Sequence, residues 1–212
     1  MKEHSIIFST DMVKAILENR KTQTRRVMKP QPVLERGVYR WIPRPLNPKR
    51  TGQYVDINVS DHSDLMRGYC PYGKASDTLW VRESWRCEGH GEGGEFAIRY
   101  RADNALSIPA IRKYSNGDKW RPSIHMPRWA SRISLEILDV RVQRLQEITE
   151  EDAQAEGIFK RGYWWDIVGE GDGISDKGAR DAFPTIWNTI NKKRDFGWDQ
   201  NPFVWVLTFK RV

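Results

Sequence analysis

"ENRKTQTRRV", residues 18–27, follows directly on "TDMVKAIL", residues 10–17, and the passage from one to the other decides how the chain is read. Met12, Val13, Ile16 and Leu17 fall on one helical face, and Ser9, Thr10 or Asp11 offers an oxygen to cap the first turn. "TQTRRV" then alternates, which predicts a strand leaving that helix. Ahead of both, "SIIF" (residues 5–8) reads as a short buried strand, giving a βαβ start. The decisive stretch itself carries Arg20, Lys21, Arg25, Arg26 and two threonines. It is a phosphate cradle, a catalytic centre or a solvated, charged turn.

Outward from there, "KPQPVLERGVYRWIPRPLNPKRTG" (residues 29–52) is rich in proline, glycine and arginine and reads as a long surface insertion. "QYVDINVS" alternates as a hairpin strand does. "CPYGKASDTLWVRESW" (residues 70–85) is a Pro/Gly turn running into a strand through Leu79, Trp80 and Val81. "EFAIRYRAD" puts Phe96, Ile98 and Tyr100 on one face. "NGDKWRPSIHMPRWAS" reads as an ordered loop. "RISLEILDVRVQRLQEI" reads as a long strand through Ile133, Leu135 and Ile137, continuing in Val140 and Val142. Thr149 caps a short helix, "EEDAQAEG", with Gly157 where glycine is favoured past a helix end. "RGYWWDIVGEGDGISDKG" looks like a flexible or lid-like loop. "ARDAFPTIWNTIN" has helical spacing, with Pro184 required in its first turn or bending it. "NPFVWVLTFKRV" closes as a strand. The expectation is an α+β protein, one domain of residues 1–212 with insertions at about 30–75 and 85–125, built on a curved, mainly antiparallel sheet or barrel.

With 212 residues the chain buries a substantial core, and its net charge of +7 makes polyanions plausible partners without fixing a fold. Two cysteines, Cys70 and Cys87, are no disulfide framework, so both are expected reduced. No apolar run approaches a signal-peptide core or a membrane span, and a cytoplasmic setting without a membrane partner is expected.

A P-loop needs glycines around its turn, and Glu18, Asn19 and Arg20 stand there instead, so nucleoside-triphosphate binding by this route is rejected. His4, His62, His90 and His125 are scattered with no ligand spacing, so neither metal nor other cofactor is expected. Thr24 is a hydroxyl three residues after an amine, Lys21. A hydroxyl is a poor nucleophile without an adjacent base, and lysine is a base only when neutral. Burial and the neighbouring cations Arg20, Arg25 and Arg26 would lower its proton affinity. The pair works only if the chain turns near Lys21 and Thr22, because residues three apart on a straight strand point opposite ways. A charged helix end running into a strand fits the same spacing.

"RKTQTRRV" after a short amphipathic helix, "KASDTLWVRESW", "ITEEDAQAEGI" and the closing "NPFVWVLTFKRV" together resemble the ASCH domain family, relatives of the PUA RNA-binding fold. The likeness covers most of the chain and is nearest to the longer members found in phages and prophages. It implies a small β-barrel flanked by short helices with a central cleft. Some small members of that family are amidohydrolases that remove acyl groups from N(4)-acetylcytidine and related acylated cytosines. Others are discussed as RNA-binding modules, and a ribonuclease activity is reported for a relative. Carried over by motif, the amidohydrolase residues are Lys21, Thr24 and Glu156. The resemblance then implies attack by Thr24 on the exocyclic amide, with neutral Lys21 taking its proton and Glu156 protonating the departing nitrogen. Backbone N–H groups between Lys21 and Thr24, or Arg26, would meet the oxyanion.

Two further clusters are candidates. In "WVRESW" Trp80 and Arg82 share one strand face and Val81 and Glu83 the other. Glu83 could read a cytosine amino group while Trp80 or Trp85 stacks on the base; an ion pair beside a packed tryptophan is the alternative. "KWRPSIHMPRWASR" mixes cations with Trp120 and Trp129, which suits single-stranded nucleic acid or, equally, core tryptophans edged by solvated arginines. The expected partner is a modified cytidine nucleoside or base, with RNA as the alternative; oligomeric state stays open.

Overall fold

The computed structural model describes residues 1–36, 38–41, 55–57, 69–90, 95–107, 119–167, 173–175 and 177–212. Its centre is a five-stranded sheet in the order β1 (Glu3–Ile7), β6 (Thr78–Arg82), β10 (Ser134–Arg144), β13 (Phe203–Arg211), β2 (Gln23–Val27). β1 and β6 run parallel, and the other pairs are antiparallel. α1 (Thr10–Leu17) joins β1 to β2, its first turn capped by Ser9. The expected strand at 5–8 starts two residues earlier and is buried on one face only, with Ile6 inside and Ile7 outside.

β13 is central, and "FVWVL" reads as an unbroken apolar run because both faces are covered. Phe203, Trp205, Leu207 and Phe209 enter one core with Phe8, Ile16, Leu135 and Ile137. Val204 and Val206 enter the other, under α2 (Glu150–Ala155) and α3 (Ala179–Asn191). In β10 the apolar positions change phase between Ile137 and Val140. A bulge between Ile137 and Asp139 absorbs the extra residue, turning Leu138 outward and Val140 back into the core.

The insertions carry sheets of their own. β3 (Val33–Glu35), β4 (Val38–Trp41) and β5 (Val55–Ile57) form one, and β7 (Trp85–His90), β8 (Glu95–Tyr100) and β9 (Leu106–Ser107) another. The first is more than a surface insertion, since Trp41 is buried edge-on against Trp205 at 5.6 Å. The hairpin tip at 91–94 and residues 42–54, 58–68 and 108–118 lie outside the described residues. The lid-like stretch opens as a hairpin, β11 (Phe159–Arg161) and β12 (Trp164–Asp166), while 168–172 and 176 lie outside the described residues. Pro184 sits inside α3 beyond its first turn, where its missing N–H leaves the Arg180 carbonyl without the usual helical donor. The start of α3 is capped from another helix: the Glu150 carboxylate accepts from the Ala179 and Arg180 N–H groups at 2.7 and 2.9 Å.

The α+β class and the mainly antiparallel pairing match expectation, but the barrel does not close. β1 and β2 are the two edges of the central sheet and share no backbone ladder. The sheet curls far enough for one side chain to cross between them, Arg26 Nη2 donating to the Ile7 carbonyl at 2.6 Å. On its outer side β2 is met by the end of α2 instead of a strand, Thr22 N donating to the Ala155 carbonyl at 2.8 Å. Among the described residues no helix is long and apolar enough to cross a membrane.

Candidate active site

The decisive stretch turns earlier than the sequence suggests. α1 ends at Leu17, Asn19 takes a left-handed φ of 57°, and the N–H groups of Arg20 and Lys21 both return to the Ala15 carbonyl at 2.8 and 3.0 Å. Lys21 is therefore already past the reversal, and it pairs with Glu156 as an isolated antiparallel bridge. Glu156 is held opposite because α2 ends there and Gly157 leaves the helix at φ 101°. A Cβ on Gly157 would lie 3.0 Å from the Ala15 Cβ and 3.2 Å from the Lys21 Cβ, so glycine permits the approach of the two chains.

Lys21 has a fully buried side chain, and its Nζ donates to Glu156 Oε2 at 2.6 Å and to the Glu156 carbonyl at 2.8 Å. Burial is the largest influence on the ammonium and lowers its proton affinity. Glu156 opposes that fall, Arg26 and Arg25 add to it, and the net result stands below the ordinary lysine value. Arg25, equally buried, donates to Glu156 Oε1 at 3.3 Å, Gln23 Oε1 at 2.7 Å and Asp152 Oδ2 at 2.6 Å. Arg141 also binds Asp152. Glu156 and Asp152 thus have two cations each, and the Glu156 carboxyl is held by Lys21 and Arg25 together.

Thr24 is 1% exposed and shares a face of β2 with Arg26. Arg26 and Lys21 both lie over the Phe8 ring, at 5.0 and 5.7 Å, so the amine reaches the side on which Thr24 stands. A cavity of about 510 Å³ opens along the free edge of β2. Thr24, Arg25, Arg26 and Glu156 line it, with Trp41, Tyr72, Phe183, Trp187 and Trp205 supplying aromatic walls. Lys21 is not on the lining and sits behind Glu156. The volume is within the range of small-molecule sites, and aromatic walls around a few fixed polar groups suit a flat heterocycle.

The second predicted cluster is elsewhere. Trp80, Arg82, Glu83 and Trp85 do not line this cavity. Glu83 is 2% exposed and is gripped by Arg132 at 3.0 and 3.1 Å, while Arg132 also binds Asp103, so the ion-pair alternative describes it. Burial raises the Glu83 carboxyl against the pull of Arg132. Trp85 is wholly buried, edge-on to Trp129 at 5.9 Å in a third core with Tyr100 and Met126. Trp80 lies between Arg82 and Arg128, and Arg82 donates to the Ile124 carbonyl. Among the described residues no group of histidine, cysteine, aspartate and glutamate side chains is placed to hold a metal ion.

Sequence reasoning missed most of the cavity wall. Trp205 and Trp187 carry a clear apolar pattern, but nothing local says that their edges line a cavity. Trp41 and Tyr72 come from or beside an insertion read as surface. Compared with protein-family models, curated proteins and solved structures, the chain matches none.

Proposed function

We propose that this protein is a metal-independent amidohydrolase of ASCH, PUA-like type, acting on cytosine nucleosides or bases acylated at the exocyclic nitrogen. The observation that carries the reading is the buried 2.6 Å contact between Lys21 Nζ and Glu156 Oε2 beside a cavity that Thr24 and Glu156 line. One proton shared across that contact gives either ammonium and carboxylate or amine and carboxylic acid. The second form is the one the proposed chemistry uses, and burial of Lys21 loosens the hold of its amine on the proton. Thr24 Oγ attacks the amide carbonyl and passes its proton to the Lys21 amine. Glu156 protonates the departing cytosine nitrogen, leaving an acyl ester on Thr24, which water then hydrolyses. Arg26, on the face of β2 that carries Thr24, is a donor for the oxyanion.

The test is to incubate the protein with a panel of N(4)-acylated cytosines and cytidines and follow the absorbance change as cytosine or cytidine forms. Turnover that needs no added metal and survives a chelator is expected. Inactivity across the panel, with salt-sensitive binding of RNA, favours the second reading, a PUA-like RNA-binding module. That reading draws on Trp120, which carries Arg86 at 4.9 Å and Arg101 at 5.5 Å from its ring, a pairing suited to stacked bases and phosphates.

A further inference from the structure

The cavity has two chemically different ends. At one, Arg25 lies 5.9 Å from the Phe183 ring, and Glu156 holds its two cations. At the other, Lys29 Nζ lies 5.1 Å from the Phe196 ring, and Phe196 N donates to the Asn191 carbonyl at the end of α3. β2 and α3 therefore run side by side along the cavity. From Phe183 to Asn191 the helix alone rises about 12 Å. Lys29 and Arg194, both exposed, line the cavity at this far end and have no carboxylate partner among the described residues. A cytosine nucleoside bound with its exocyclic nitrogen at Thr24 and its ribose turned to this end would bring its 5′ oxygen toward them.

We propose that Lys29 and Arg194 form a subsite for a phosphate monoester, so that the ligand is a 5′-phosphorylated cytosine nucleoside in preference to a free base or nucleoside. Two cations at the mouth of an aromatic cavity make charge-assisted hydrogen bonds to such a group and add nothing to binding of the neutral nucleoside. The inference rests on reading the cavity as a cytosine-nucleoside site, and it does not depend on hydrolysis taking place.

Calorimetric titration at low ionic strength with cytidine 5′-monophosphate and with cytidine tests it. The monophosphate is expected to bind about tenfold more tightly or better, as one or two charge-assisted bonds imply. In Lys29→Gln/Arg194→Gln the two ligands should bind alike, with cytidine affinity unchanged, which also shows the cavity intact. Equal affinities in the unaltered protein, or a preference that survives in the double variant, would overturn the subsite while leaving the hydrolase reading standing. A short RNA without a terminal phosphate that binds more tightly than the monophosphate through the same two residues would overturn it in favour of an open RNA track. If neither cytidine nor its monophosphate binds, the nucleoside reading of the cavity fails, and the subsite with it.

Discussion

At the scale of single residues, the proposed chemistry turns on Lys21, whose amine is held where charge is expensive. Its folded-state proton affinity is below that of the unfolded chain, chiefly through burial. Between those two values the unfolded chain binds more protons, so stability rises with pH across that window. Lys21→Met should abolish this slope, read as the pH dependence of the urea midpoint. Glu156 pulls the other way on Lys21, so in Glu156→Gln the Lys21 titration, followed by the shift of its ε-carbon in NMR, moves to still lower pH. A move upward would mean that Glu156 does not hold the proton on the Lys21 amine. The cysteines give a second residue-scale expectation. Burial pushes the Cys70 thiol up to about 12 and raises Cys87 as well. Neither should react with a thiol reagent at pH 8 in the native protein, and both should react once it is unfolded.

At the scale of elements, the sequence showed which residues share a face and left open what each face meets. Alternation in β6 and the turn beyond it placed Trp80 with Arg82 and Val81 with Glu83. That Glu83 would find Arg132, and Trp85 would be sealed under Trp129, depends on pairings across the chain that no local pattern carries. The resulting prediction separates the two readings of Glu83. Glu83→Ala strands Arg132 beside a buried gap and should cost about 3 kcal/mol of stability, measured by urea unfolding. Hydrolysis per folded molecule should be unchanged, since Glu83 does not line the cavity. By contrast, the helix around Thr149 and Gly157 was legible because cap and exit are local chemistry. The bulge in β10 was present in the spacing of Ile137 and Val140 as a phase change, although spacing alone did not say how it would be absorbed.

At the scale of the whole molecule, the α+β class followed from the alternation of element types, and the open edge of β2 did not. A curved, mainly antiparallel sheet or barrel was expected. Gln23, Thr24 and Arg25 are buried, Arg25 against Asp152 and Glu156 at α2, and the cavity that Thr24 lines occupies the edge that a closing strand would have used. Its walls come from β2, β4, β13, α3 and the turn around Tyr72, so it exists only when distant parts of the chain assemble. The reversal at Asn19, the glycine at 157 and the cations around Glu156 and Asp152 then act together to set the Lys21 amine against the Glu156 carboxyl, which lines the cavity together with Thr24. The most direct measurement is the rate of cytidine formation from N(4)-acetylcytidine by the unaltered protein, Lys21→Met and Thr24→Val, compared at equal folded fraction. The unaltered protein should turn over, and each variant should lose about a hundredfold or more. Variants that keep the full rate, or an unaltered protein with none, would contradict the assignment of Lys21 and Thr24 to acyl transfer.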